Sequence, residues 1–147
     1  MHSNEITWVI VLNSNICRIF KYSKKDHQLE AVKELNHPEN KLRDIDLTSD
    51  RPGHYKSSNS AHGSYSQPSD PKEIKINNFV REVANMLDRD RNIQAYNKLI
   101  IIAADHINGL LYKHINKHVQ KLISKNIEKD LIHQSNHDLL NTLSNFY

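Results

Sequence analysis

At 147 residues the chain has the length of one domain, and its single cysteine excludes an internal disulfide framework and a multi-cysteine zinc site. Hydrophobic residues make up 37% and fall in strand-sized blocks, none approaching the roughly 18 apolar residues of a membrane span. The formal charge of +3 is too small to imply a nucleic-acid partner by itself, and the first residues lack the basic flank and cleavage site of a secretory signal, so a cytoplasmic location is expected.

Ile6 to Leu12 is apolar at nearly every position, the pattern of a strand buried on both faces. The turn cluster Asn13-Ser14-Asn15 leads to a second strand over Ile16 to Tyr22, and Lys24 to His27 forms the next turn. Leu29 to Leu35 alternates apolar and polar residues, with Val32 out of step, and makes a third strand. Such short connections imply an antiparallel meander. Residues 36–70 then hold three of the four prolines and two of the three glycines among many polar residues. That composition predicts a long irregular surface loop within the single domain 1–147.

Asp70-Pro71-Lys72-Glu73 carries a helix start. Asp suits the cap, Pro the first helical position, and Glu three residues on can close a capping box. Ile76, Phe79, Val80, Val83 and Leu87 share one face of the helix that follows, which should end near Arg91. Leu99 to Ala104 reads as a central strand. Asp105 can cap a second helix, with Ile107, Leu110, Leu111 and Ile115 on its inner face. The pattern resumes at Val119, Leu122 and Ile123 after a break near Asn116. A weak alternation from Ile127 to His133 suggests an edge strand, and Ser135 can cap a last helix carrying Leu139, Leu140, Leu143 and Phe146. The order βββ-α-β-α-β-α predicts an α/β fold with a mixed five-stranded sheet flanked by helices. It is compatible with a ribonuclease-H-like topology.

Three groups of residues bear on chemistry. The 36–70 loop gathers His37, Arg43, Asp50, Arg51, Gly53 and His54. Arg51 could grip a phosphate or carboxylate there and Gly53 admit a close backbone approach, or the segment is simply a solvated loop. Lys113, Lys117, Lys121 and Lys125 recur every four residues, with no Asp or Glu from His106 to Ile127. On one helix they form a basic face able to follow a phosphate backbone, or an ordinary solvated face, with Tyr112 as the aromatic nearby. His114 and His118 have metal-ligand spacing, but two ligands do not make a site, so no metal and no cofactor are expected. Cys17 lies in a predicted strand, where a buried thiol is inert. Without a phosphate-binding glycine loop, a nucleophile elbow or an acid in the first strand, the residues favour a non-catalytic module. A hydrolase using the loop and the Asp105 strand end is the minority alternative.

Several blocks resemble the bacterial host attachment family, the proteins required for attachment to host cells. They are Trp8 to Leu12 with Arg18-Ile19-Phe20, His37-Pro38-Glu39 leading to Asp50-Arg51-Pro52-Gly53, Asp70-Pro71-Lys72-Glu73 with Phe79, Leu99 to Ala103 with Gly109-Leu110-Leu111, and Lys129-Asp130-Leu131 with His133. Asp70, Lys72, Glu73, Lys129 and Asp130 are the family-motif positions. The resemblance implies a domain similar to the middle domain of archaeal and eukaryotic peptide-chain release factors. It thereby suggests contact with RNA or ribosomes, while the absence of a Gly-Gly-Gln tripeptide argues against peptide release. Attachment would then be indirect. The alternative is a protein partner engaged by the 36–70 loop. The chain departs from relatives at Asp105-His106 and Asn116-Lys117.

Overall fold

A computed structural model describes residues 5–36 and 70–146. Three strands come first: β1 (Thr7–Leu12), β2 (Ile16–Ser23) and β3 (Gln28–Asn36). Helix α1 (Pro71–Asn92) leads to β4 (Lys98–Ile102). Helix α2 (Asp105–His114) and the single turn α3 (Lys117–Gln120) lead to β5 (Ile123–Ile127). Helix α4 (Asn136–Asn145) ends the described chain. The sheet order is β3-β2-β1-β4-β5. The pairs β1–β2 and β2–β3 are antiparallel, and β1–β4 and β4–β5 are parallel. This is the mixed five-stranded α/β sheet the element order predicts.

The near-continuous apolar runs have a direct cause. In a strand, successive side chains point to opposite faces, so a run without polar residues needs cover on both. Trp8, Ile10 and Leu12 of β1 and Leu99 and Ile101 of β4 pack with Phe79, Val83 and Leu87 of α1, with Leu111 of α2 and with Val119 of α3. Val9, Val11, Ile100 and Ile102 face the other way, against Ile132 and against Leu139 and Leu143 of α4. Among the described residues no helix is long and apolar enough to cross a membrane.

Val32, the residue out of step in the third strand, is a β-bulge. Ile19 pairs with Lys33 but Phe20 pairs with Ala31, which leaves Val32 as the extra residue. One extra residue exchanges the two faces of a strand. Leu29 accordingly packs on the α4 side and Leu35 on the α1 side. Lys33 now reaches Asp90 of α1 (2.9 Å) and lies over the Trp8 ring (5.9 Å).

The capping signals are partly realised. Asp70 Oδ1 accepts from Lys72 N–H (3.1 Å), and Ser135 Oγ accepts from Asp138 N–H (3.1 Å). Asp105 is not a cap. Ala104 holds that position without a side-chain bond, and Asp105 is the first helical residue. There its charge complements the positive end of the helix dipole.

The last quarter of the chain departs from expectation more widely. No strand spans 127–133; β5 begins earlier, at Ile123, and residues 128–135 form the connection to α4. Two local events explain it. Ile115 is extended (φ −80°, ψ 145°), and Asn116 starts a new turn by accepting from Val119 N–H (3.0 Å). In β5, Leu99 faces Ile123 but Ile100 faces Lys125, so Ser124 is bulged and the alternation is lost to view. The edge position in the sheet is as expected.

Candidate nucleic-acid interface

The four lysines do not share a helix face. Lys113 is in the last turn of α2, Lys117 opens α3, Lys121 follows it, and Lys125 lies in β5. Four-residue spacing aligns side chains only along an unbroken helix, and the backbone turns at Ile115 and again before Ile123. The structure regroups them instead. Lys113 and Lys125 line one groove between α2 and β5, with Asn108, Gly109, Tyr112, Asn126 and Glu128. Lys121 lines a smaller depression of about 400 Å³ with Arg91, Gln94, Asn97 and His118.

The α2–β5 groove has a volume of about 680 Å³. Its floor is an amide pair. Asn108 is buried, and its Nδ2 donates to Asn126 Oδ1 (2.5 Å) and to the Ala103 carbonyl (3.3 Å). That pair stitches α2 to the edge strand. Gly109 opens the wall, since a Cβ there would meet nothing within 4 Å beyond its chain neighbours and the backbone of its own helix. One turn further on, Tyr112 is 47% exposed. An aromatic ring with that much face in solvent contributes little to a core and suits a planar partner. Glu128 is the one carboxylate of this lining.

Asn108, Gly109 and Asn126 were not legible as site residues. The available signal was Asn108 itself, a polar residue on the same helix face as Leu111, where burial demands a partner. Its partner, Asn126, lies 18 positions away, across the break at Asn116.

The other sequence candidates are dispersed. His37, Arg43, Asp50, Arg51, Gly53 and His54 lie outside the described residues. His114 turns to α1, with Nε2 2.8 Å from Asn77 Oδ1, while His118 lies in the depression beside Lys121. Among the described residues no group of three or more His, Cys, Asp or Glu could hold a metal ion. Cys17 is buried, and desolvation, with a smaller contribution from the Glu34 charge, pushes its thiol far above the ordinary range. Glu73 reaches His106 Nε2 (3.4 Å), which links α1 to α2. Asp105 is exposed. Lys129 and Asp130 are exposed in the connection after β5, with Lys129 Nζ 5.7 Å above the Phe146 ring.

Fold and groove together define a mixed-sheet α/β protein with a cationic, aromatic-bearing sheet edge. A family model described as "Protein required for attachment to host cells" matches residues 8–143. The chain belongs to that family. No curated protein matches it significantly. Among solved structures it is similar to one titled "Archaeal protein", with 12% identity and a TM-score of 0.47 over 98% of this chain. The match takes in only 40% of that longer protein, and at this level the likeness says nothing of function.

Proposed function

We propose that this member of the host attachment family is a non-catalytic module that binds RNA, free or within ribosomes, through the α2–β5 groove. The supporting observation is the exposed Tyr112 ring in a groove lined by Lys113 and Lys125. Cations neutralise phosphates, and an exposed ring offers a stacking surface to an unpaired base. The sheet order and strand directions are compatible with the ribonuclease-H-like and release-factor-like readings of the fold. On this reading the protein acts in the cytoplasm, and its part in host attachment is indirect.

The test is co-sedimentation with ribosomes, and anisotropy with single-stranded RNA, over a salt series. Wild-type binding should weaken with salt. The Lys113→Glu, Lys125→Glu variant should lower the slope of log K against log salt by about 0.7 for each phosphate it no longer neutralises. Tyr112→Ala should cost roughly 1–3 kcal/mol with little change in slope, since stacking releases no counterions. Absence of binding at low salt would overturn the proposal. Partner capture that survives these substitutions but disappears on deleting residues 37–69 would favour a protein-interaction factor.

A further inference from the structure

We infer that a cleft on the opposite sheet face, between the β2–β3 hairpin and the turn before α4, is a separate binding site for a small organic carboxylate with a short apolar body. It uses no residue of the α2–β5 groove, so it stands apart from the RNA reading. The cleft has a volume of about 610 Å³, within the usual range for small-molecule sites. Its walls come from two distant parts of the chain, Arg18 to Phe20 with Ala31 to Glu34, and His133 to Asn136. Arg18-Ile19-Phe20 and His133, from two of the blocks that carry the family resemblance, thus line one cavity.

The bulge builds the floor. By dropping Val32 out of register it leaves an aliphatic side chain 41% exposed beside the buried Phe20, both lining the cleft. Bulges recur next to functional sites because they re-aim side chains, and here the shift sets Glu34 opposite Arg18. The resulting ion pair is loose, with Arg18 Nε 3.9 Å from Glu34 Oε1 and both side chains over a third exposed. Pairs of this kind contribute little. A ligand carboxylate can therefore take the guanidinium fork with two parallel hydrogen bonds. Gln134 and His133 can add hydrogen bonds at the rim. Gln134 Oε1 already accepts from Thr142 Oγ1 (3.2 Å), so its amide N–H is the group it has to offer.

Charge selects the ligand class. Arg18 and Lys33 line the cleft against one carboxylate, Glu34, a balance that favours a carboxylate over an amine as the anchoring group. The neighbouring Glu34 repels a dianion more than a monoanion, which disfavours a phosphate monoester against a carboxylate. Phe20 and Val32 require an apolar body behind the charged group.

The experiment is a ¹H–¹⁵N NMR titration of the full chain with hexanoate, beside hexylamine and inorganic phosphate. Saturable hexanoate shifts confined to β2, β3 and residues 131–136 are expected, with weak or no binding of the other two probes. Arg18→Gln should weaken hexanoate at least tenfold. Glu34→Gln should tighten it severalfold by removing the competing carboxylate, a gain that misfolding cannot mimic. No saturable hexanoate binding, equal binding by Arg18→Gln, or hexylamine binding as tightly would each overturn the inference.

Discussion

Burial first, and then the neighbouring charges of Arg81 and Lys113, hold the His114 imidazole below its ordinary pKa. The folded protein therefore binds this proton less readily than the unfolded chain. Its contribution is complete above the unfolded value near pH 6.5, and stability falls as pH drops below it. Denaturant midpoints at pH 5.5 and 7.5 should show the loss, and His114→Gln should reduce the difference. Asp88 acts in the same sense at lower pH. Hydrogen bonds from Asn116 and Arg91 hold its carboxyl below the usual range, so their support fades as acid protonates it. Asn116 also caps α3, so Asn116→Ala should destabilise by about 1 kcal/mol, lowering Tm by roughly 2–4 °C. Cys17 should resist a thiol reagent at neutral pH until the chain unfolds, because only the thiolate reacts. Its inertness was legible, since a lone cysteine amid Ile16, Ile19 and Phe20 reads as buried. The Asn108–Asn126 pair was not, because hydrogen bonding between two elements separated by a helix end leaves no period in the sequence.

The elements differ in how plainly they announce themselves. α1 has a cap, a proline and an uninterrupted apolar stripe, all pointing to one answer. β5 has none of these, for its bulge at Ser124 breaks the alternation that would mark a strand. The β3 bulge has an energetic consequence. It aims Lys33 at Asp90, whose side chain is nearly buried near the end of α1. Removing the lysine leaves that carboxylate without its cation. Lys33→Met should cost about 1–2 kcal/mol, between the values for surface and buried pairs. Asp90→Asn with Lys33→Met should recover part of the loss in a double-mutant cycle.

Across the whole molecule, the sheet carries a core on each side, and α4 supplies much of the second one. Leu139→Ala should therefore destabilise by about 2–5 kcal/mol, although α4 makes up only the last described turns of the chain. The two-sided burial of β1 and β4 was legible from Trp8 to Leu12 and Leu99 to Ala104, where no polar residue marks a solvent side. The grooves were not, because each joins residues far apart in sequence, and no local pattern records which distant segments will meet. The loop candidates from His37 to His54 lie outside the described residues.

The middle strand of this sheet is also the first of its five to be synthesised. β1 can zip to β2 at once, as Leu12 and Cys17 are already opposite each other. Its other edge must wait for β4, whose Lys98 pairs with Thr7 across 91 positions of sequence and so only after that whole stretch has left the ribosome. During that interval a nascent chain holds an apolar half-sheet with an open side, a template for pairing with a neighbour. Chains halted before Lys98 should accumulate in aggregates, and those extended through α4, which covers the second sheet face, should not. Yield of this protein should therefore fall when elongation is slowed or chaperones are depleted across that window.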